Sequence, residues 1–263
     1  RQQQLAVANR RLERLASTCS DAELVQNPED IPTLRRVLRE PAAKITLLGN
    51  GVDLERFGPD DPAGTRAALR AELGIEDGAV VVGAVGRLVL EKGYAELFEA
   101  WERVVADHPG AVLVVVGPGD ADKADAVPQE LVDRATAAGV RFLGMRDDVE
   151  DLYRAFDLYV LASHREGFPR SAMEAAATGL PVVATDIRGC RQVVDRDVTG
   201  LLVPVRDPAG LAEAIGRMVG DGDLRARMGA AAIERARSEF DQQRQIDTTL
   251  RTYDRLLTAA MAG

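Results

Sequence analysis

Residues 79–117 read AVVVGAVGRLVLEKGYAELFEAWERVVADHPGAVLVVVG. Two uninterrupted apolar runs, 79–86 and 111–117, bracket a stretch at 93–107 in which Leu97, Ala100, Trp101 and Val104 recur at helical spacing. A strand that is covered on both faces needs apolar residues at every position rather than at alternate ones. Strand, helix and strand in this order therefore predict two parallel strands joined by a crossover helix.

Working outward, the alternation continues. Residues 129–138, 149–156, 171–178 and 208–219 carry helical patterns, and 140–143, 158–162, 181–185 and 200–203 are short apolar strands. The expected fold class is α/β, a Rossmann-like doubly wound parallel sheet, in which ligands bind at the carboxyl ends of the strands. The first fifty residues predict a helix at 5–15, a strand at 22–26, a helix at 28–38 and a strand at 44–48, the last units of a partial N-terminal domain. The stretch 58–64, GPDDPAG, reads as a linker. The tail 241–260 places Ile246, Leu250, Tyr253 and Leu257 on one helical face, so that face is expected to pack against something. These readings divide the chain into 1–52, an incomplete N-terminal remnant, 53–240, the Rossmann-like domain, and 241–263, a C-terminal helix.

Of the 263 residues, 46% are hydrophobic and 29% charged, as in a water-soluble globular chain, and only 4% are aromatic, which leaves the core to Val, Leu, Ile and Ala. The formal charge of -9 argues against nucleic acid as a partner. An anionic ligand would have to meet a local basic site. Cys19 and Cys190 lie far apart, in no metal-ligand spacing, as expected of free thiols in a reducing compartment. No apolar run is long enough for a membrane span and no signal peptide is visible. The chain begins at Arg1 rather than Met, as expected of a processed or cut form of something longer.

Two segments follow strands and enter helices, and so occupy carboxyl-end loops. In the first, Gly86 to Gly93, Arg87 and Lys92 can reach one anion from two sides, each contact contributing about 1.5–3 kcal/mol when partly desolvated. In the second, Ser163-His164-Arg165-Glu166-Gly167-Phe168-Pro169-Arg170-Ser171-Ala172-Met173-Glu174, Glu166 lies in the loop and Glu174 about one turn inside the helix. The two carboxylates can thus face one cleft while meeting different parts of an extended ligand. Gly167 and the amides at the helix start suit a diphosphate.

Arg87, Lys92-Gly93 and the E-x7-E of Glu166 and Glu174 together resemble the donor site of family 4 glycosyltransferases, the group 1 retaining enzymes of GT-B architecture. Asn50-Gly51-Val52-Asp53 with Phe57 is similar to that family's interdomain segment, Gly179-Leu180-Pro181-Val182-Val183-Ala184-Thr185 to its G-x-PVVAT strand, and Gly200-Leu201-Leu202-Val203 to its last strand. The resemblance covers roughly residues 44–240. It implies that the chain is the donor-binding domain of an enzyme that moves a hexosyl or N-acetylhexosaminyl group from a nucleotide sugar with retention. Arg87 and Lys92, with Glu166, would be catalytic, the two cations stabilising the departing diphosphate. Glu174 would accept from the ribose hydroxyls. Glu166, with the backbone of Gly167, Phe168 and Pro169, would meet the transferred sugar. Gly86, Arg146 and Arg170 complete the implied donor site, the base lying near Gly144-Met145-Arg146. No metal and no cofactor are implied, because basic side chains take the role of a metal.

The glycine-rich acceptor loop and the His of that family's first domain have no counterpart here. Val25-Gln26-Asn27-Pro28-Glu29-Asp30 resembles a stretch of bacterial transferases that build lipid-linked or capsular polysaccharide, which points to a UDP-sugar rather than a GDP-sugar and to a lipid-linked or surface glycan as acceptor. The corresponding place is the cytoplasm at the inner face of the membrane, with membrane contact only through an N-terminal domain. Two other readings stay open: a non-catalytic nucleotide-sugar-binding or scaffolding module, and a GT-B nucleotide-sugar epimerase, which would lack the E-x7-E. No G-x-G-x-x-G accompanies Gly117-Pro118-Gly119, which disfavours a dehydrogenase. The acidic residues at 147–151 and 120–122 read as solvated charge, the former at a helix start, His108 as a helix C-cap, His164 as structural or solvent-facing, and Cys190 as a buried small residue.

Overall fold

The computed structural model describes residues 16–38, 41–61, 64–119 and 123–262. The chain divides into two compact units, residues 1–51 with 241–263, and residues 52–240. In the first unit β1 (Glu23–Val25) pairs in parallel with β2 (Ile45–Leu47). The single helix expected at 28–38 is broken instead into a 3-10 turn (Pro28–Asp30), one α turn (Ile31–Thr33) and a π-wound turn (Leu34–Leu38). Pro28 and Pro32 bring no N–H to a regular ladder, which explains the irregular winding. The helix expected at 5–15 lies outside the described residues, as do the acidic residues 120–122.

The second unit runs α1 (Thr65–Glu72), β3 (Val81–Val85), α2 (Tyr94–Asp107), β4 (Val112–Val116), α3 (Gln129–Ala137), β5 (Arg141–Phe142), α4 (Val149–Ala155), β6 (Leu158–Leu161), α5 (Arg170–Ala177), β7 (Val182–Thr185), α6 (Arg188–Arg191), β8 (Gly200–Val203), α7 (Pro208–Gly220) and α8 (Gly222–Glu239). The strands form one parallel sheet in the order β5-β4-β3-β6-β7-β8. Alternate strand residues enter different cores: Val114, Val116, Tyr159 and Leu161 face one side with Tyr153, Phe156 and Met173, whereas Leu113, Val115, Leu158 and Val160 face the other with Phe98, Trp101 and Met218. A sheet with helices on both faces leaves no strand a polar side, hence the uninterrupted apolar runs.

Three helices were not expected from the sequence, α1, α6 and α8. The α1 stretch buries only Leu69, and α6 is a single turn. In α8 the buried residues are Leu224, Met228, Gly229, Ala232 and Ala236, and the glycine and alanines make its apolar face weak against the polar residues around it. The stretch 58–64 is not the boundary between units, because Val52 and Phe57 on its amino side already belong to the core of the second unit. The Asp61 carboxylate instead accepts from the amides of Thr65 and Arg66, starting α1.

The last helix, α9 (Gln242–Ala262), belongs to the first unit. The apolar stripe expected to be covered is exposed, with Ile246, Leu250, Tyr253 and Leu257 between 45% and 61% accessible. Among the described residues of this unit the buried side chains are Ser17, Val25, Asn27 and Thr252, too small a core to cover so long a helix. Among the described residues no helix is long and apolar enough to cross a membrane.

One carboxylate ties together the start of the sheet. Asp157, just before β6, accepts from Arg66, from Arg70 at 2.5 Å and from the Val81 amide at 2.7 Å. The same guanidinium of Arg66 donates to the carbonyls of Arg154 and Phe156. Removing the carboxylate leaves two partly buried cations unpaired, so Asp157→Ala should lower stability by about 2 kcal/mol. A shift of the urea unfolding midpoint with unchanged slope is the measurement that checks it.

Candidate active site at the carboxyl ends of β3 and β6

The chain reverses direction across the sheet between β3 and β6, and the loops that follow these two neighbouring strands carry the candidate residues. Gly93 makes their approach possible. Its φ is +72°, and a Cβ there would stand 2.0 Å from the carbonyl oxygen of Ala162 at the end of β6. Only glycine fits such an approach in that conformation. The α2 N-terminus therefore abuts the end of β6, and Lys92 is delivered beside the loop that begins at Ser163. On the other side Tyr94 donates from its hydroxyl to the Gly86 carbonyl at 3.0 Å, holding the loop after β3 to the helix it enters.

Lys92 and Glu166 form the centre of the site. Lys92 Nζ stands 2.6 Å from Glu166 Oε1, and the Ser163 hydroxyl donates to the same oxygen at 2.8 Å. The Glu166 side chain is only 13% exposed, so its charge needs both partners. Behind it, a Cβ on Gly189 would stand 2.5 Å from the Glu166 carbonyl oxygen, which fixes the backbone of the loop against α6. Cys190 next to it is buried, as expected, and burial, with the nearby Glu166 charge, pushes its thiol up to about 12. It is a packed, unreactive group.

Glu174 lies on α5 and is also 13% exposed. Tyr153 donates to its Oε2 at 3.0 Å, and Arg170, largely exposed, approaches Oε1 at 3.2 Å. The Tyr153 hydroxyl is fully buried and its pKa is raised well above the ordinary value, chiefly by desolvation. It therefore stays a proton donor to the carboxylate. Pro169 is the N-cap of α5 and buried, Phe168 packs edge-on against Phe240 with centroids 6.3 Å apart, and Gly167 is exposed with open space where a side chain would be.

Two further sequence candidates are the arginines Arg87 and Arg146. Arg87 is exposed on the loop after β3. Arg146 is bound from Nε and Nη2 to both oxygens of Asp148, at 2.8 and 2.7 Å, and by Glu72 at 3.3 Å. The hydrogen bond with Asp148 raises the Arg146 pKa and lowers that of the carboxyl. Its guanidinium thus has two protein carboxylates to leave before it serves a ligand. The acidic helix start is paired rather than simply solvated, Glu150 taking Arg56 at 2.7 Å and Asp151 taking Arg154 at 2.6 Å. His108 is the C-cap of α2. His164, two residues before Glu166, sits against Glu96 of α2 at 2.9 Å, a structural contact. Ser163 and Tyr153, which hold the two glutamates, were not singled out from the sequence for that role. The position of Ser163 directly after a strand was a usable signal, whereas nothing local points from Tyr153 to a residue on another helix.

A cavity of about 360 Å³ lined by Arg66, Phe156, Asp157, Thr178 and Pro181 lies at the amino ends of β6 and β7, the opposite edge of the sheet. Its Arg66 is engaged by the carbonyls of Arg154 and Phe156 and by Asp157.

Comparison with known proteins bears on the same residues. The sequence pattern of the glycosyl transferases group 1 matches residues 65–235, which include every site residue named above. The chain is 34% identical over 249 residues to a D-inositol 3-phosphate glycosyltransferase of Saccharomonospora viridis, a match covering 91% of this chain and 57% of that protein. It thus spans little more than half the length of such relatives. The sucrose-phosphate synthase of Thermosynechococcus elongatus superposes with a TM-score of 0.81 at 28% identity, over 96% of this chain and 62% of that one. Anabaena HepE, solved in complex with UDP and glucose, superposes with a TM-score of 0.80 at 25% identity, over 95% of this chain and 67% of that one. The α/β fold with its parallel sheet matches these GT-B structures, and with the pattern match extending over most of its length the chain belongs to the group 1 glycosyl transferases.

Proposed function

We propose that this chain is the donor-binding part of a retaining, family 4 glycosyltransferase that takes a hexosyl or N-acetylhexosaminyl group from a UDP-sugar. The observation that carries the reading is the Lys92–Glu166 pair at 2.6 Å, set at the point where the sheet changes direction, with Glu174 eight residues on along the same loop and helix. The relatives named D-inositol 3-phosphate glycosyltransferases and the HepE complex with UDP and glucose support a nucleotide-sugar donor. Glu174, oriented by Tyr153, accepts from the ribose hydroxyls. Glu166 accepts from the transferred sugar. Lys92 and Arg87 meet the diphosphate, where fixed positive charge is worth most as the bond to the anomeric carbon breaks. The new bond forms to an acceptor oxygen on the same face of the sugar, and the departing phosphate takes the acceptor's proton. We carry the acceptor as a lipid-linked or surface glycan, on the resemblance of residues 25–30, and the reaction as metal-free, because Lys92 and Arg87 supply the positive charge.

The two glutamates have separable effects. Calorimetry with the chain should show UDP binding, and Glu174→Ala should weaken it about tenfold, the loss of a charge-assisted hydrogen-bond pair. Glu166→Ala should leave UDP within about twofold and weaken a UDP-hexose about tenfold. Absence of UDP binding by the folded chain would sink the donor-site reading, and equal effects of both variants on free UDP would remove the division of labour.

Lys92 acts on the phosphates rather than on the nucleoside. Lys92→Ala should weaken UDP about tenfold and uridine hardly at all. The difference between UDP and uridine should shrink as salt is raised from about 0.05 to 0.5 M, because a partly exposed cation is screened. Titrations of both ligands at the two ionic strengths check this.

A further inference from the structure

Glu166 has two carboxylate oxygens, and the protein treats them differently. Oε1 accepts from Lys92 Nζ at 2.6 Å and from Ser163 Oγ at 2.8 Å, which occupies both of its lone pairs. Oε2 meets no protein donor among the described residues. Ser163 is wholly buried, and Thr185 at the end of β7 donates to its carbonyl at 2.5 Å, so Ser163 is held from a neighbouring strand. Lys92 has a long flexible stem, but Ser163 has one rotatable bond and no exposure. The direction of the Glu166 carboxylate about its last torsion is therefore set chiefly by Ser163, since carboxylate torsions are otherwise broad.

We infer that Ser163 is a positioning residue that turns Glu166 so that one oxygen is committed to the protein and the other accepts from a single hydroxyl of the transferred sugar, and that this fixed orientation sets which hexose the donor site prefers. The inference rests on the donor-site reading above, in which Glu166 meets the sugar. Without the Ser163 hydroxyl, Oε1 regains a lone pair and the carboxylate can rotate. It then accepts from hydroxyls in more than one stereochemistry, and its preference falls. Ser163 touches no nucleotide in this arrangement, so UDP itself should not sense the change.

The test is calorimetric titration of the chain with UDP, UDP-glucose, UDP-galactose and UDP-N-acetylglucosamine, for the unaltered protein and for Ser163→Ala. The expected result is UDP affinity unchanged within about twofold, with the preferred UDP-hexose weakened about tenfold and its advantage over the others largely gone. Thr185→Val, which keeps the side-chain shape and removes the donor to the Ser163 carbonyl, should show the same sugar-only loss in smaller measure. It stands in where Ser163→Ala does not fold. Losses of equal size on UDP and on the UDP-hexoses in both variants would mean general damage and overturn the inference, as would a preference that survives Ser163→Ala. Failure of the unaltered chain to bind UDP overturns the donor-site reading and this inference with it, whereas UDP binding with an undiminished sugar preference in the variants overturns this inference alone.

Discussion

The approach of one backbone to another, Gly93 against Ala162, is the contact on which the site depends. Residues of β3 and β6 are more than seventy positions apart in the chain, yet Val82 and Gly83 pair with Leu158 and Tyr159. That neighbourhood brings the two loops to one edge of the sheet, but it does not by itself make their side chains meet. A residue with a Cβ at position 93 would hold α2 away from the end of β6 and carry Lys92 off with it. The positive φ of Gly93 adds a second demand for glycine at the same place. The ion pair is therefore a consequence of backbone packing, with the side chains filling a geometry already set.

The chain as a whole is acidic, and its carboxylates are handled in two ways. Those of the exposed helices pair across the surface, as Glu102 does with Arg134, and such pairs contribute little to stability. The less exposed ones have chosen partners. Asp157 has two arginines and an amide, Glu166 has Lys92 and Ser163, and Glu174 has Tyr153 and Arg170. An acidic chain of this kind attracts no polyanion in general, so the site must supply its own positive charge. Under the donor-site reading, Arg87 and Lys92 do so.

Much of this was legible in the residues. The six strands of the sheet were visible because a doubly covered strand leaves no room for polar alternation, and the order of loops after them located Glu166 and Glu174. The pairing of Lys92 with Glu166 was not legible, since it depends on which strands are neighbours. Strand order is not written in any local pattern. The helices α1 and α8 were missed for a different reason: α1 is short and buries only Leu69, and much of the buried face of α8 is glycine and alanine, which do not mark it as apolar. Arg146 illustrates the converse. The family resemblance alone implied a ligand for it, and in the structure Asp148 two residues on and Glu72 from another helix engage its guanidinium. The exposed stripe of α9 shows that helical period predicts a face and not its cover.

Under the donor-site reading, the pairing of Lys92 with Glu166 raises the question of how a cation bound to a carboxylate can also hold a diphosphate. An ammonium carries three N–H donors and no preferred plane, and Lys92 uses one of them on Glu166. Two remain for phosphate oxygens without breaking the contact. An arginine at the same place would present a planar fork and would be committed by a bidentate carboxylate, as Arg146 is by Asp148. Under the donor-site reading, lysine at position 92 therefore joins two parts of the ligand through one charge. It steadies Glu166 toward the sugar while it neutralises the group from which that sugar departs.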